Sequence, residues 1–152
     1  MQIKLQRICV PVDFSDTSMA ALTYAKAFAE SFGARLHILH VLTSWIPETD
    51  VPVSPQLYEQ FEQSARKQLN ALLLDEERQK YQAQLDLVNG TSEFLEIIRY
   101  AREKEIDLVV MGTHGRGPIA HILLGSVAEK VVRKAPCPVL TVRHPEHEFV
   151  MP

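Results

Sequence analysis

The chain has 152 residues, 46% of them apolar, with a formal net charge of −3 and two cysteines. That length suits one domain with a substantial core, and the slightly acidic balance argues against a nucleic-acid footprint, so any phosphate ligand has to be held by local geometry. No apolar run approaches the roughly 18 residues of a membrane span and Met1 to Arg7 hold no apolar leader, so a soluble cytoplasmic protein is expected. Both thiols, Cys9 and Cys137, lie in strand-like apolar runs and read as buried, reduced cysteines.

Ile8-Cys9-Val10-Pro11-Val12 is a near-continuous apolar run, as in a strand covered on both faces, and Pro11 belongs at its end because proline cannot donate to a ladder. Asp13, Ser15 and Asp16 offer helix N-caps. Met19, Leu22, Ala25, Phe28 and Phe32 follow at helical spacing, and Gly33 stops the helix. Leu36 to Leu42 predicts a second strand. A loop punctuated by Pro47, Pro52 and Pro55 follows, around Trp45. One long helix is predicted to carry Tyr58, Phe61, Ala65, Leu69, Leu72 and Leu73, and Ala83 to Val88 reads as an edge strand. Thr91 or Ser92 caps a helix whose inner face is Phe94, Ile97, Ile98 and Ala101. Leu108 to Met111 is a strand running straight into Gly112. Ser126 opens a helix and pairs with Glu129 as a capping box, and Pro136 and Pro138 precede a last strand, Val139 to Val142. The tail from His144 to Pro152 reads as poorly ordered.

Strand and helix alternate along the whole chain without linker or repeat. That pattern predicts a single domain, residues 1–152, with an open parallel sheet of five strands and helices on both faces. Ligands of such sheets sit beyond the carboxyl ends of the strands, which singles out Pro11-Val12-Asp13 and the stretch from Gly112 onward.

Residues Gly112 to Ser126 carry the chemical signal. Glycines after a buried strand let backbone N–H groups approach an anion, and a helix start adds free N–H groups and the positive end of a dipole. Two readings of Ser126 stand: its hydroxyl bonds a phosphate, or it caps its own helix. No Walker A motif is present, since Gly125-Ser126 lacks the spaced upstream glycine and the lysine. Gly115-Arg116-Gly117-Pro118-Ile119-Ala120 matches G-x-G-x-x-A, but Pro118 interrupts it and no acidic residue follows at the required distance.

The spacing Gly112-x2-Gly115-x9-Gly125-Ser126 resembles the nucleotide motif of the universal stress protein family. The likeness extends to Val10-Pro11-Val12-Asp13-Phe14-Ser15, to Asp107 through Gly115, and to Ser126 through Val142. It implies a sheet of order 3-2-1-4-5 and a bound adenine nucleotide, ATP, ADP or AMP, in some cases with Mg2+. By this resemblance Pro11 and Val12 line the adenine pocket, Asp13 contacts the ribose and the Val41 backbone reads the adenine edge. Gly112, Gly115, Gly125, Ser126 and Val127 hold the phosphates, with Met111, His114 and Arg116 beside them. A homodimer pairing through Val139, Leu140, Thr141 and Val142 is also implied.

Several of these residues have a second reading. Asp13 is a ribose ligand or an N-cap, Arg116 a γ-phosphate ligand or a solvated loop residue, and His114 a phosphate contact or a turn residue. Trp45 covers the adenine or anchors its own loop. His37 and His40, three apart on one strand, face opposite sides and form no metal pair; His144 and His147 belong to a solvated tail. The site holds binding residues without an evident catalytic set, which favours a regulatory nucleotide-binding module. A slow ATPase or autophosphorylating enzyme, and a nucleotide-free dimeric interaction protein, are the alternatives.

Overall fold

A computed structural model describes residues 1–46, 51–114 and 124–143. The elements in chain order are β1 (Arg7–Pro11), α1 (Asp16–Phe32), β2 (Arg35–Thr43), β3 (Trp45–Ile46), β4 (Val51–Pro52), α2 (Pro55–Asn70), α3 (Asp75–Lys80), β5 (Gln84–Gly90), α4 (Glu93–Glu103), β6 (Leu108–Gly112), α5 (Ser126–Lys134) and β7 (Val139–Val142). Five strands form one sheet in the order β5-β2-β1-β6-β7, every neighbouring pair parallel. Counting those five alone, the order is 3-2-1-4-5, as the resemblance implied. β1 and its neighbours are buried on both faces, which explains the unbroken apolar runs around Val10 and Val110.

Two core clusters lie on the two faces of the sheet. One gathers Ile8, Val10, Leu36, Ile38 and Val110 with Ala21, Leu22 and Ala25 of α1. The other gathers Cys9, Leu39, Val109 and Met111 with Ile97 and Tyr100 of α4 and Ala128 and Val131 of α5. The buried face of α1 is mostly alanine, so this helix lies close to the sheet. Ser15 caps it by accepting from Ser18 N at 3.2 Å, and Gly33 ends it with φ 64°, a left-handed conformation that costs glycine nothing.

The expected long helix through Leu73 is two elements. α2 ends at Asn70, Leu73 turns into the core, and α3 follows as a separate helix with Asp75, Glu76 and Glu77 in its first turn. Leu72 and Leu73 continue the apolar pattern because they pack inward, and periodicity alone does not separate that from helix. Within the proline-punctuated loop, Trp45 and Ile46 pair antiparallel with Pro52 and Val51, a short hairpin that no alternation announced. Cys9 is fully buried and Cys137 half-buried; both are free, and burial pushes both thiols up from their ordinary range. No helix among the described residues is long and apolar enough to cross a membrane.

Candidate functional site

From β1 the chain passes through α1 to β2 on one side; β6 returns on the other side of β1. The strand order therefore reverses between β1 and β6, and their carboxyl ends open a crevice. On the β1 side, Val12 N donates to Leu39 O at 2.8 Å and His40 Nδ1 donates to the Val12 carbonyl at 2.7 Å. Asp13 Oδ1 accepts from Ser15 N at 3.0 Å and from the Ser15 hydroxyl. The N-cap of α1 is thus Ser15, and Asp13 instead braces the turn that presents Ser15. Both of those bonds fall on one carboxylate oxygen; among the described residues nothing donates to Asp13 Oδ2. Phe14 holds φ 64°, an uncommon conformation for a bulky residue, with its ring centroid 4.6 Å from that of His40.

Val41 lies on β2 just past the last rung of the β1–β2 ladder, which ends at Pro11 and Leu39. Arg35 N and Leu39 O bond toward β1, whereas Leu36 N and Ser44 N bond the opposite way. By this alternation the Val41 N–H and C=O point toward β1, at the level where β1 has already turned away.

On the β6 side, Thr113 N donates to Val142 O at 2.8 Å, and Gly125 N donates to Thr113 O at 2.5 Å. The second bond ties the start of α5 to the end of β6, although 12 positions separate the two residues in sequence. The capping box expected of Ser126 and Glu129 is not formed. Gly125 is the N-cap, no side chain caps this helix, and the Glu129 carboxylate pairs with Arg133 at 2.8 Å. Ser126 therefore occupies the first helical position, exposed, and does not cap. The first intrahelical bond runs from Glu129 N to Gly125 O. The amides of Ser126, Val127 and Ala128 consequently have no acceptor in the helix and form its positive end.

The two described motif glycines have steric reasons of their own. A Cβ on Gly125 would lie 2.8 Å from Thr113 O and 3.5 Å from His114 Cα. A Cβ on Gly112 would lie 2.7 Å from Thr17 Cγ2 and 3.1 Å from Thr17 C on α1. Glycine is required at both positions by close approach of the protein to itself. The Gly125 amide is engaged by Thr113 and is therefore not itself a free donor at this end of the sheet.

The structure brings Pro11, Val12, Asp13, Gly112, His114, Gly125, Ser126 and Val127 to this end of the sheet, with Val41 on the adjoining strand. The Met111 side chain is 5% exposed and belongs to the core under α4 and α5. His114 Nδ1 lies 2.9 Å from Thr113 Oγ1. Gly115 and Arg116, and the side chain of Trp45, fall outside the described residues.

A family model, the universal stress protein family, matches residues 4–143. This chain belongs to the universal stress protein family. It is 32% identical over 146 residues to universal stress protein MJ0531 of Methanocaldococcus jannaschii, an alignment covering 94% of this chain and 85% of that protein. The solved structure of MJ0577, from the same organism, superposes with a TM-score of 0.77 at 27% identity, covering 97% of this chain and all of that one. A universal stress protein solved in complex with cAMP shares the fold at 24% identity, with a TM-score of 0.63 over 93% of this chain and 98% of that one.

This universal stress protein also carries a group at the crevice that its sequence did not single out. Burial, and secondarily the Asp13 carboxylate, push the Glu93 carboxyl up to about 7. Standing first in α4, Glu93 reads in sequence as an ordinary dipole complement. Its folded-state value lies above the ordinary 4.5. The folded protein therefore binds more protons than the unfolded chain between those two values, and stability falls as pH rises from about 4.5 to about 7. Since Glu93 keeps part of its surface in water, the loss is expected on the order of 2 kcal/mol. Urea unfolding at pH 5 and pH 8 measures it, and in Glu93→Gln the difference between the two pH values should shrink to about half or less.

A second feature absent from the sequence patterns is a buried network under α4. His37, 3% exposed, bonds Tyr100 OH through Nδ1 at 2.9 Å; that hydroxyl donates to Asp86 at 2.6 Å, and Gln84 donates to the same carboxylate at 2.8 Å. Burial lowers His37 from its ordinary range, in keeping with a neutral imidazole. The network joins β2, β5 and α4 near the amino ends of the two strands and ties the edge strand to its neighbours.

Proposed function

We propose that this universal stress protein binds an adenine nucleotide, AMP, ADP or ATP, in the crevice between β1 and β6 and acts as a regulatory module of the stress response. The observation that carries the reading is the Gly125 N–H to Thr113 O bond, which sets the uncapped start of α5 beside the end of β6. The amides of Ser126 and Val127 then face the anion, with the Ser126 hydroxyl as a further donor. Gly115, Arg116 and His114 complete the phosphate cradle in this reading. Asp13 Oδ2 accepts from a ribose hydroxyl, Pro11 and Val12 floor the base, and Mg2+ arrives with the phosphates. The outer edge of β7, Val139 to Val142, is the edge on which a second copy would pair, giving a homodimer in the cytoplasm.

Base selectivity follows from the paired groups of Val41. An N–H and a C=O side by side match adenine, whose N1 accepts and whose N6 amino group donates. Guanine presents N1–H and O6 instead, so like would face like and both backbone groups would stay unsatisfied. Calorimetric titration with AMP, ATP and GMP, with and without Mg2+, tests the assignment. AMP is expected to bind about tenfold or more tightly than GMP, and ATP at least as tightly as AMP because the helix start favours added negative charge. Equal affinity for GMP, or no saturable binding of any adenine nucleotide, overturns it. Turnover of ATP in the same samples would make the protein an enzyme.

A further inference from the structure

The regular parallel ladder has a rung missing between β1 and β2, and a side chain stands in its place. In such a ladder a residue that donates its N–H to residue j−1 of the neighbour accepts at its C=O from the N–H of residue j+1. Val12 donates to Leu39 O, so the Val12 carbonyl would ordinarily take the Val41 amide. No such bond is formed. The Val12 carbonyl is occupied by His40 Nδ1 at 2.7 Å, and β1 has already left its pairing at Pro11. A carbonyl only accepts, so the imidazole carries its proton on Nδ1. The Phe14 ring packs on the imidazole at a centroid distance of 4.6 Å, and the left-handed Phe14 backbone turns the chain away into Ser15 and α1.

We infer that His40 is a positioning residue that displaces the Val41 amide from the β1–β2 ladder and so leaves the Val41 N–H and C=O to face a purine. This rests on the adenine assignment for the role of Val41, while the displacement itself is a property of the protein alone. The physical content is a competition for one acceptor. With the imidazole present, Val12 O is satisfied by a side chain of β2 and the two strands separate a residue early. Without it, the carbonyl needs a donor, and the neighbouring Val41 amide on the same strand is the nearest. The ladder would then close by one rung over the place where the base edge sits.

Amide hydrogen exchange read by NMR on ligand-free protein, together with AMP titration, tests this in wild type, His40→Leu and His40→Asn. In wild type the Val41 amide should exchange on the order of a hundredfold faster than that of Leu39, which lies within the β1–β2 ladder. In His40→Leu the Val41 amide should become protected without ligand, and AMP affinity should fall about tenfold or more. In His40→Asn the side-chain amide can donate from nearly the position of Nδ1, so fast exchange and affinity within about threefold of wild type should return. A Val41 amide as protected as Leu39 in ligand-free wild type overturns the proposal. So does an Asn variant that behaves like the Leu variant, or a Leu variant indistinguishable from wild type. If the exchange pattern appears as expected while AMP fails to bind wild type, the displacement stands and the adenine assignment falls.

Discussion

Gly125→Ala is expected to cost about 1–3 kcal/mol of stability and to weaken adenine nucleotide binding by at least about tenfold. The added methyl group would stand 2.8 Å from Thr113 O, a backbone atom that a rotamer change cannot move. Relief requires the Gly125 N–H to Thr113 O bond to lengthen, and that bond is the tie between α5 and the end of β6. Lengthening it leaves Thr113 O short of a partner at a residue only 3% exposed, an added penalty of the unsatisfied-carbonyl kind. It also moves the free amides of Ser126 and Val127 away from the Gly112–His114 stretch, so the effect on the ligand should exceed the effect on the fold. Urea unfolding reports the first quantity and calorimetric titration with ATP the second. A Gly125→Ala protein that binds ATP as wild type does would show that the helix start does not need this seat to hold phosphate.

Gly112→Ala is expected to be at least as destabilising, about 2–3 kcal/mol, for a different reason. Here the new methyl meets α1, at 2.7 Å from Thr17 Cγ2 and 3.1 Å from Thr17 C. The alanine-lined face of α1 brings the helix close to β6, so the helix has to move outward and open the packing around Ala20 and Ala21, which are 7% and 0% exposed. Thr17→Ser removes the nearer atom and leaves the farther one. A double-mutant cycle between the two substitutions should therefore recover about 1 kcal/mol but not the whole loss. Additive effects within about 0.3 kcal/mol would show that Thr17 is not the obstacle.

These two glycines show how far a sequence pattern reaches. Their spacing after a buried strand picked out two positions where the fold itself needs glycine, and the family resemblance attached the right order to the strands. The reason inferred for them was room for an anion; the reason the structure shows is close approach to Thr17 and to Thr113. Thr17 lies 95 positions before Gly112 in the chain, and no local pattern pairs the two. The capping box failed for a related reason. Ser126 and Glu129 have the right spacing, but the bond to Thr113 O places Gly125 at the N-cap and starts the helix at Ser126, one residue earlier than the capping box requires. A tertiary contact overrode a local preference of serine over glycine at the N-cap that is worth only about a few tenths of a kcal/mol. α3 was absorbed into α2 because Leu72 and Leu73 keep the apolar rhythm across a break made by core packing.

What the sequence by itself determined is what short-range rules govern: buried strands as unbroken apolar runs, α1 closed by Gly33, Pro11 at the end of β1, and a glycine-and-helix-start segment suited to an anion. These depend on neighbours a few residues apart, where backbone sterics and periodic burial leave little choice. Only the tertiary structure decided which groups share the crevice. It set Glu93 near Asp13, it placed the Val41 backbone beyond the last rung of β1, and it gave the Val12 carbonyl to His40 instead. Those outcomes are contests for one acceptor or one volume between segments that meet only when the sheet has formed, and no residue's immediate neighbours record who wins them.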